Sequence, residues 1–133
     1  MKRDGEWPLV EGGAQALGVR TGTTLAADIA VDDLGDVHPG TGGMSVNAAW
    51  RTLPYWRIPR RLKHLLPEAR GNDQLVCWRH GQGDFESATV AEGLNLRVDR
   101  FPHGLVEPSR IVPLHVFEAA LGATRTMWTV DEE

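Results

Sequence analysis

The chain has 133 residues, the size of one domain, which argues against an enzyme with a separate cofactor module. Hydrophobic residues make up 41% and charged residues 24%, ordinary for a globular protein, while 15 Gly and 8 Pro point to a loop-rich fold and away from a helix bundle. The net charge of −4 is uneven: residues 1–36 sum to −4, whereas Arg51, Arg57, Arg60, Arg61, Lys63, Arg70 and Arg79 against Glu68 and Asp73 give residues 51–80 a charge of +5. An acidic whole disfavours non-specific nucleic-acid binding as the main activity, and the basic stripe suits a local anionic ligand.

No apolar run reaches the ~18–20 residues of a spanning helix, so no membrane is expected as a partner. The start, Met1-Lys2-Arg3-Asp4-Gly5-Glu6, carries no apolar stretch behind its charges. The expectation is a cytoplasmic protein, or one delivered into a target cell by a route that reads no N-terminal signal. The lone Cys77 excludes an internal disulfide framework.

In chain order, Trp7 to Val10, bounded by Pro8 and Gly12-Gly13, reads as an edge strand or extended arm. Thr24 fits the cap of a helix carrying Leu25, Ala26, Ile29, Ala30 and Leu34 and stopped by Gly35, although Thr23-Thr24-Leu25 equally suits extended chain. Residues 35–43, with four glycines and Pro39, are a loop that leads into a short strand at Met44-Ser45-Val46. Residues 48–61 mix aromatics and arginines around Pro54 and Pro59, the pattern of a pinned loop, and 60–69 has room for one or two helical turns. Gln74 to His80 has strand composition. Leu94, Leu96 and Val98 alternate with Asn95, Arg97 and Asp99, the clearest strand in the chain, and His103 to Glu107 pairs after it. A helix follows from Pro113 through Leu114, Val116, Phe117, Ala120 and Leu121, with Gly122 just past its end, and 124–130 reads as a last strand. The whole predicts a single α+β domain over 1–133, mostly short strands with two or three helices. Residues 1–36 belong to the core or form a peripheral arm or helical extension.

Several chemistries fail on spacing. Gly40-Thr41-Gly42-Gly43-Met44-Ser45 has Met where a phosphate loop needs Lys, and no Rossmann glycine pattern is present. Cys77 and His80 make half a zinc site with no second half, so no metal is expected; Cys77 beside Trp78 reads as a buried small apolar residue. The glycine turn is either a tight bend or a place where backbone N–H groups approach a polar ligand. Trp50-Arg51, Tyr55-Trp56-Arg57 and Arg60-Arg61 suit either base stacking with phosphate contacts or a loop whose Trp rings plug the core. The first of these defines an alternative function: a non-enzymatic module that binds single-stranded nucleic acid or an acidic protein through residues 50–63.

Two separated segments resemble a family. Thr41-Gly42-Gly43-Met44-Ser45-Val46, then Ile58-Pro59, then His103-Gly104-Leu105-Val106-Glu107-Pro108 before a short C-terminal helix, resemble in order and spacing the ADP-ribosyltransferase-like toxins delivered by type VI secretion. The resemblance spans residues 41–121 in outline and about a dozen positions. It implies a diphtheria-toxin-like mixed domain with a bent, split β-core and a cleft for NAD, transfer of ADP-ribose to an acceptor, and a cognate immunity protein as partner. Carried over by position, Ser45 would hydrogen-bond the ribose, His103 would stand at the NAD cleft, and Gly42 and Gly43 would let backbone approach the cofactor. Glu107 is the nearest carboxylate for stabilising the developing ribosyl cation. Met44 replaces the family's Thr and Gly104 its Tyr, so the stacking aromatic must come from elsewhere; Trp50, Trp56 and Trp78 are the candidates, Trp56 among the expected cofactor contacts.

Overall fold

Strand pairing organises the chain, and the computed structural model describes residues 1–8, 21–22, 28–81 and 83–133. The first strands are two residues long: β1 (Arg3–Asp4), β2 (Trp7–Pro8), β3 (Thr21–Gly22), β4 (Ile29–Ala30) and β5 (Asp36–Val37). Next come β6 (Met44–Asn47), β7 (Trp78–His80), β8 (Ala88–Ala91), β9 (Leu94–Arg100) and β10 (His103–Pro108). The chain closes with β11 (Val112–Pro113), α1 (Leu114–Ala123) and β12 (Trp128–Val130). It is a small mixed α+β domain, mostly strands, with one α-helix among the described residues. No helix among them is long and apolar enough to cross a membrane.

The centre is a four-stranded antiparallel sheet in the order β6-β10-β9-β8. Its register places Val106 opposite Met44 and Leu96, so these apolar side chains share one face, as period-two alternation requires. Helix α1 covers that face: Phe117 and Leu121, one turn apart, are both buried and pack with Ile29, Val37, Leu94, Val106 and Trp128. Pro113 stands just before the first turn, where its missing N–H costs nothing. The end of the helix is tied by Thr124, whose hydroxyl donates to Leu121 O at 2.7 Å and accepts from Trp128 Nε1 at 3.0 Å.

Among the described residues the expected two or three helices reduce to one. Residues 28–34 are not helical: Ile29 and Ala30 pair in parallel with Thr21 and Gly22, and Ile29 also bridges Gly42. Asp32 then bends the chain, its Oδ1 accepting from the N–H groups of Leu34 and Asp36 at 2.9 Å each. Tertiary pairing thus overrides helical spacing, and Leu34 faces solvent. The expected cap at Thr24 and the Leu25-Ala26 stretch lie outside the described residues, as do Leu9 and Val10 of the first strand. Helix α1 also runs one residue past Gly122. The strand expected from Gln74 is shorter, because Asn72 closes a turn by accepting from Gln74 N–H at 2.7 Å, and strand pairing begins at Trp78. Residues 125–127 form a 3-10 turn before β12.

A second core lies under residues 50–71, where three 3-10 turns, Trp50–Thr52, Tyr55–Arg57 and Arg60–Leu62, pack Trp50, Ile58 and Leu62 against Ala69 and Cys77. Trp50 plugs it and donates Nε1 to Glu133 O at 2.9 Å. Cys77 is 2% exposed. Burial, and then the Glu132 carboxylate beside it, push its thiol up to about 11. The unfolded thiol ionises near 9 while the folded one keeps its proton, so stability is full below about pH 9 and declines as pH rises towards 11. Two measurements check this. Iodoacetamide leaves Cys77 unlabelled in the folded protein at pH 8, and the fall in urea midpoint between pH 9 and 11 is shallower for Cys77→Ala than for the parent. Equal slopes, or rapid labelling at pH 8, count against it.

Candidate functional site

The face of the central sheet away from α1 is polar because Asn95 and Arg97 of β9 alternate with the core-facing Leu94 and Leu96. On β10 the same face carries His103, Leu105 and Glu107. On β6 it carries Ser45, opposite Leu105, and Asn47, opposite His103. Ser45 and His103, some sixty residues apart in the chain, therefore stand on adjacent strands of one face in a diagonal relation, which in such pairs means about 7–8 Å between Cα atoms.

The hairpin β9–β10 is irregular at one point. Leu105 pairs with Arg97 but His103 pairs with Arg100, so β9 carries one residue too many between them. The extra residue lets Asp99 reach across the hairpin mouth, where its Oδ1 lies 2.8 Å from His103 Nδ1. That hydrogen bond holds the Asp99 carboxyl below the ordinary carboxylate range. With Nδ1–H directed to a carboxylate, Nε2 is the free end of the ring, an acceptor when neutral and a donor when protonated.

Glu107 is buried, and its Oε2 accepts from Gly40 N–H at 2.7 Å and from Arg97 Nε at 3.1 Å. It ties the glycine loop to the middle of the sheet. The two central glycines are used in the same way. A Cβ on Gly42 would drive into the carbonyl of Asp28, and one on Gly43 into the carbonyl of Val106. The space their missing side chains leave is filled by the chain's own backbone, which draws the loop onto the start of β6.

Gly104 has a related part. A Cβ there would lie 3.0 Å from both Leu96 Cδ1 and Phe85 Cζ, so Phe85 occupies the room a side chain at 104 would need. Phe85 meets Phe101 edge-to-face at 6.0 Å, and Phe101 is 68% exposed at the turn before His103. Gly104 alternates with His103 and Leu105, so Phe85 packs with Leu96 on the face opposite the histidine. The three Trp residues weighed as the stacking aromatic are placed otherwise. Trp50 is buried in the second core, Trp78 donates Nε1 to Met1 O at 2.9 Å, and Trp56 projects from the Tyr55–Arg57 turn under the guanidinium of Arg70.

A shallow open recess of about 380 Å³ lies along β8, β9 and β10, lined by Ser87, Thr89, Asn95, Arg97 and Glu107 among others. Ser45, His103 and Trp56 are not part of its lining. No group of His, Cys, Asp and Glu side chains among the described residues is arranged to hold a metal ion. No family model, curated protein or solved structure matches the chain.

Sequence alone does not single out Asp99 or Arg97 as site residues. Only the alternation of β9 gives a signal, since it sets Arg97 on the face opposite the core.

Proposed function

We propose that the chain is an ADP-ribosyltransferase-like domain that takes NAD on the polar face of its central sheet, and that its architecture is a reduced version of the diphtheria-toxin-like fold. The observation that carries this reading is the meeting of Ser45 and His103 on one face, with Asp99 fixing the imidazole. The donor set fits the ligand chemically. An imidazole nitrogen and a hydroxyl suit ribose, and Arg97 suits a pyrophosphate.

When bound, NAD supplies an activated N-glycosidic bond; nicotinamide leaves with the bonding electron pair, and the ribose carbon passes to an acceptor that gives up a proton. The chain's part is to orient and to place charge. Ser45 Oγ donates to or accepts from a ribose hydroxyl, and His103 Nε2 holds a second polar group while Asp99 stops the ring from turning. Arg97, held by Glu107, presents its remaining N–H groups to phosphate oxygens. Glu107 acts through Arg97 and the Gly40 loop and is a positioning residue. Trp56 has no part in this site. A protein working as a delivered toxin would be matched by an immunity protein that covers this face.

Titration calorimetry tests the reading. NAD binds with a Kd of about 1 mM or tighter, and His103→Ala weakens it about tenfold, the value of one hydrogen bond to a group that can carry charge. Ser45→Ala weakens it severalfold, and nicotinamide appears slowly on incubation. Absence of heat at millimolar NAD, with the protein folded, overturns it.

A further inference from the structure

Residues 50–71 form a rigid platform. Arg70 N–H donates to Tyr55 O at 3.0 Å, Gly71 N–H to Ile58 O at 2.7 Å and Arg60 N–H to Gly71 O at 3.2 Å, closing the turns against the returning chain. A Cβ on Gly71 would lie 2.7 Å from the carbonyl oxygens of both Trp56 and Ile58, so the two passes are in backbone contact. From this platform two neighbouring aromatic rings face solvent, Tyr55 at 42% and Trp56 at 59% exposed. Arg70 lies over the Trp56 ring at 6.0 Å, and Arg57, Arg60 and Lys63 are exposed nearby in the chain.

The charges of the segment are not equivalent. Arg51 donates to Leu65 O and covers Trp50, and Arg61 is paired with Glu132. Arg57, Arg60 and Lys63 meet no carboxylate among the described residues. Exposed Tyr55 and Trp56 on a tied backbone, in a segment whose exposed Arg57, Arg60 and Lys63 meet no carboxylate among the described residues, have the composition of an interface hot spot.

We infer that Tyr55 and Trp56, with Arg57, Arg60, Lys63 and Arg70 around them, form a docking site for a protein segment that presents an apolar side chain between carboxylates. Charge complementarity selects this occupant. A nucleic-acid strand needs open ring faces to stack on, whereas here one face of Trp56 is taken by Arg70. The proposed contact uses none of Ser45, Arg97, Asp99 and His103.

The test uses the full chain and a synthetic peptide alternating Glu and Asp with Leu and Phe, with an oligothymidylate of equal charge as comparison. The peptide binds more tightly than the oligonucleotide. Trp56→Ala and the double substitution Arg57→Glu, Arg60→Glu each weaken it by about tenfold or more, while melting temperature and NAD titration are unchanged. The inference is overturned if Trp56→Ala binds as the parent does, since the attraction is then charge alone. It is overturned equally by tighter binding of the oligonucleotide, or by no binding of the peptide at millimolar concentration. Self-association in sedimentation that Trp56→Ala abolishes would also overturn it, because the occupant is then a second copy.

Discussion

Gly43→Ala destabilises the domain by more than about 3 kcal/mol, and Gly42→Ala does the same, whereas Gly40→Ala costs only about 1 kcal/mol. The three glycines sit within one four-residue stretch and differ in what surrounds them. At Gly43 a methyl group would meet the Val106 carbonyl far inside van der Waals contact, with Glu107 Cα at 3.3 Å behind it. Neither neighbour is a side-chain tip that can swing away. Relief requires moving the start of β6 off β10 and breaking the pairing of Met44 with Val106. Gly42 has the same difficulty against Asp28 and Ile29, and its φ of +128° is one that residues with a Cβ rarely adopt. Gly40 also has a positive φ, +84°, but nothing lies within 4 Å of a Cβ built there, so only the backbone preference is lost. Urea unfolding of the three variants measures the order. Gly43→Ala within about 1 kcal/mol of the parent would mean that the loop does not press on the sheet. Because β6 carries Ser45, the two costly variants also lose the proposed NAD binding under conditions where the residual folded fraction is still measurable.

How far the sequence disclosed the molecule follows from which signals are local. The alternation of Leu94 to Asp99 reports a sheet with one wet face, and the face is as read from Leu94 to Arg97, beyond which an extra residue breaks the alternation. Pro113 and the spacing of Phe117 and Leu121 report a helix for the same reason, that the pattern is written within a few residues. Residues 28–34 carry a helical spacing too, but the pairing of Ile29 with Thr21 and Gly42 is a non-local choice that no window of ten residues contains. Sequence singles out Ser45 and His103 one by one, and their adjacency depends on the register of β6 against β10, which a one-residue slip would undo. Asp99 escapes notice as a partner for His103 because the contact depends on an extra residue in one strand of a hairpin. Phe85 escapes because its place is defined by a side chain that Gly104 lacks.

Glu107→Ala costs about 2–3 kcal/mol of stability, and Glu107→Gln about 1 kcal/mol. The carboxylate is buried and takes two hydrogen bonds on a single oxygen, one from the Gly40 amide and one from Arg97. Removing it leaves the Gly40 N–H without its acceptor and Arg97 without its counter-charge, and hydrogen bonds to a charged group run at about 1.5–3 kcal/mol each. The guanidinium side chain is 38% exposed and regains water, which keeps the total near the lower end of what breaking a buried pair costs. Glutamine retains an acceptor oxygen for Gly40 and loses only the charge facing Arg97. The pair of variants also separates two parts for this residue in the proposed reaction. A positioning glutamate predicts that Glu107→Gln binds NAD within about threefold of the parent and releases nicotinamide less than about tenfold more slowly, while Glu107→Ala loses both together with the loop. A carboxylate that faces the developing ribosyl cation predicts the reverse split, a Glu107→Gln variant as stable as the parent whose nicotinamide release falls by about 10²-fold or more. The geometry favours the first, because the one oxygen engaged is already shared between an amide and a guanidinium, and a charge so neutralised has little field left to offer a cation on the open side of the sheet.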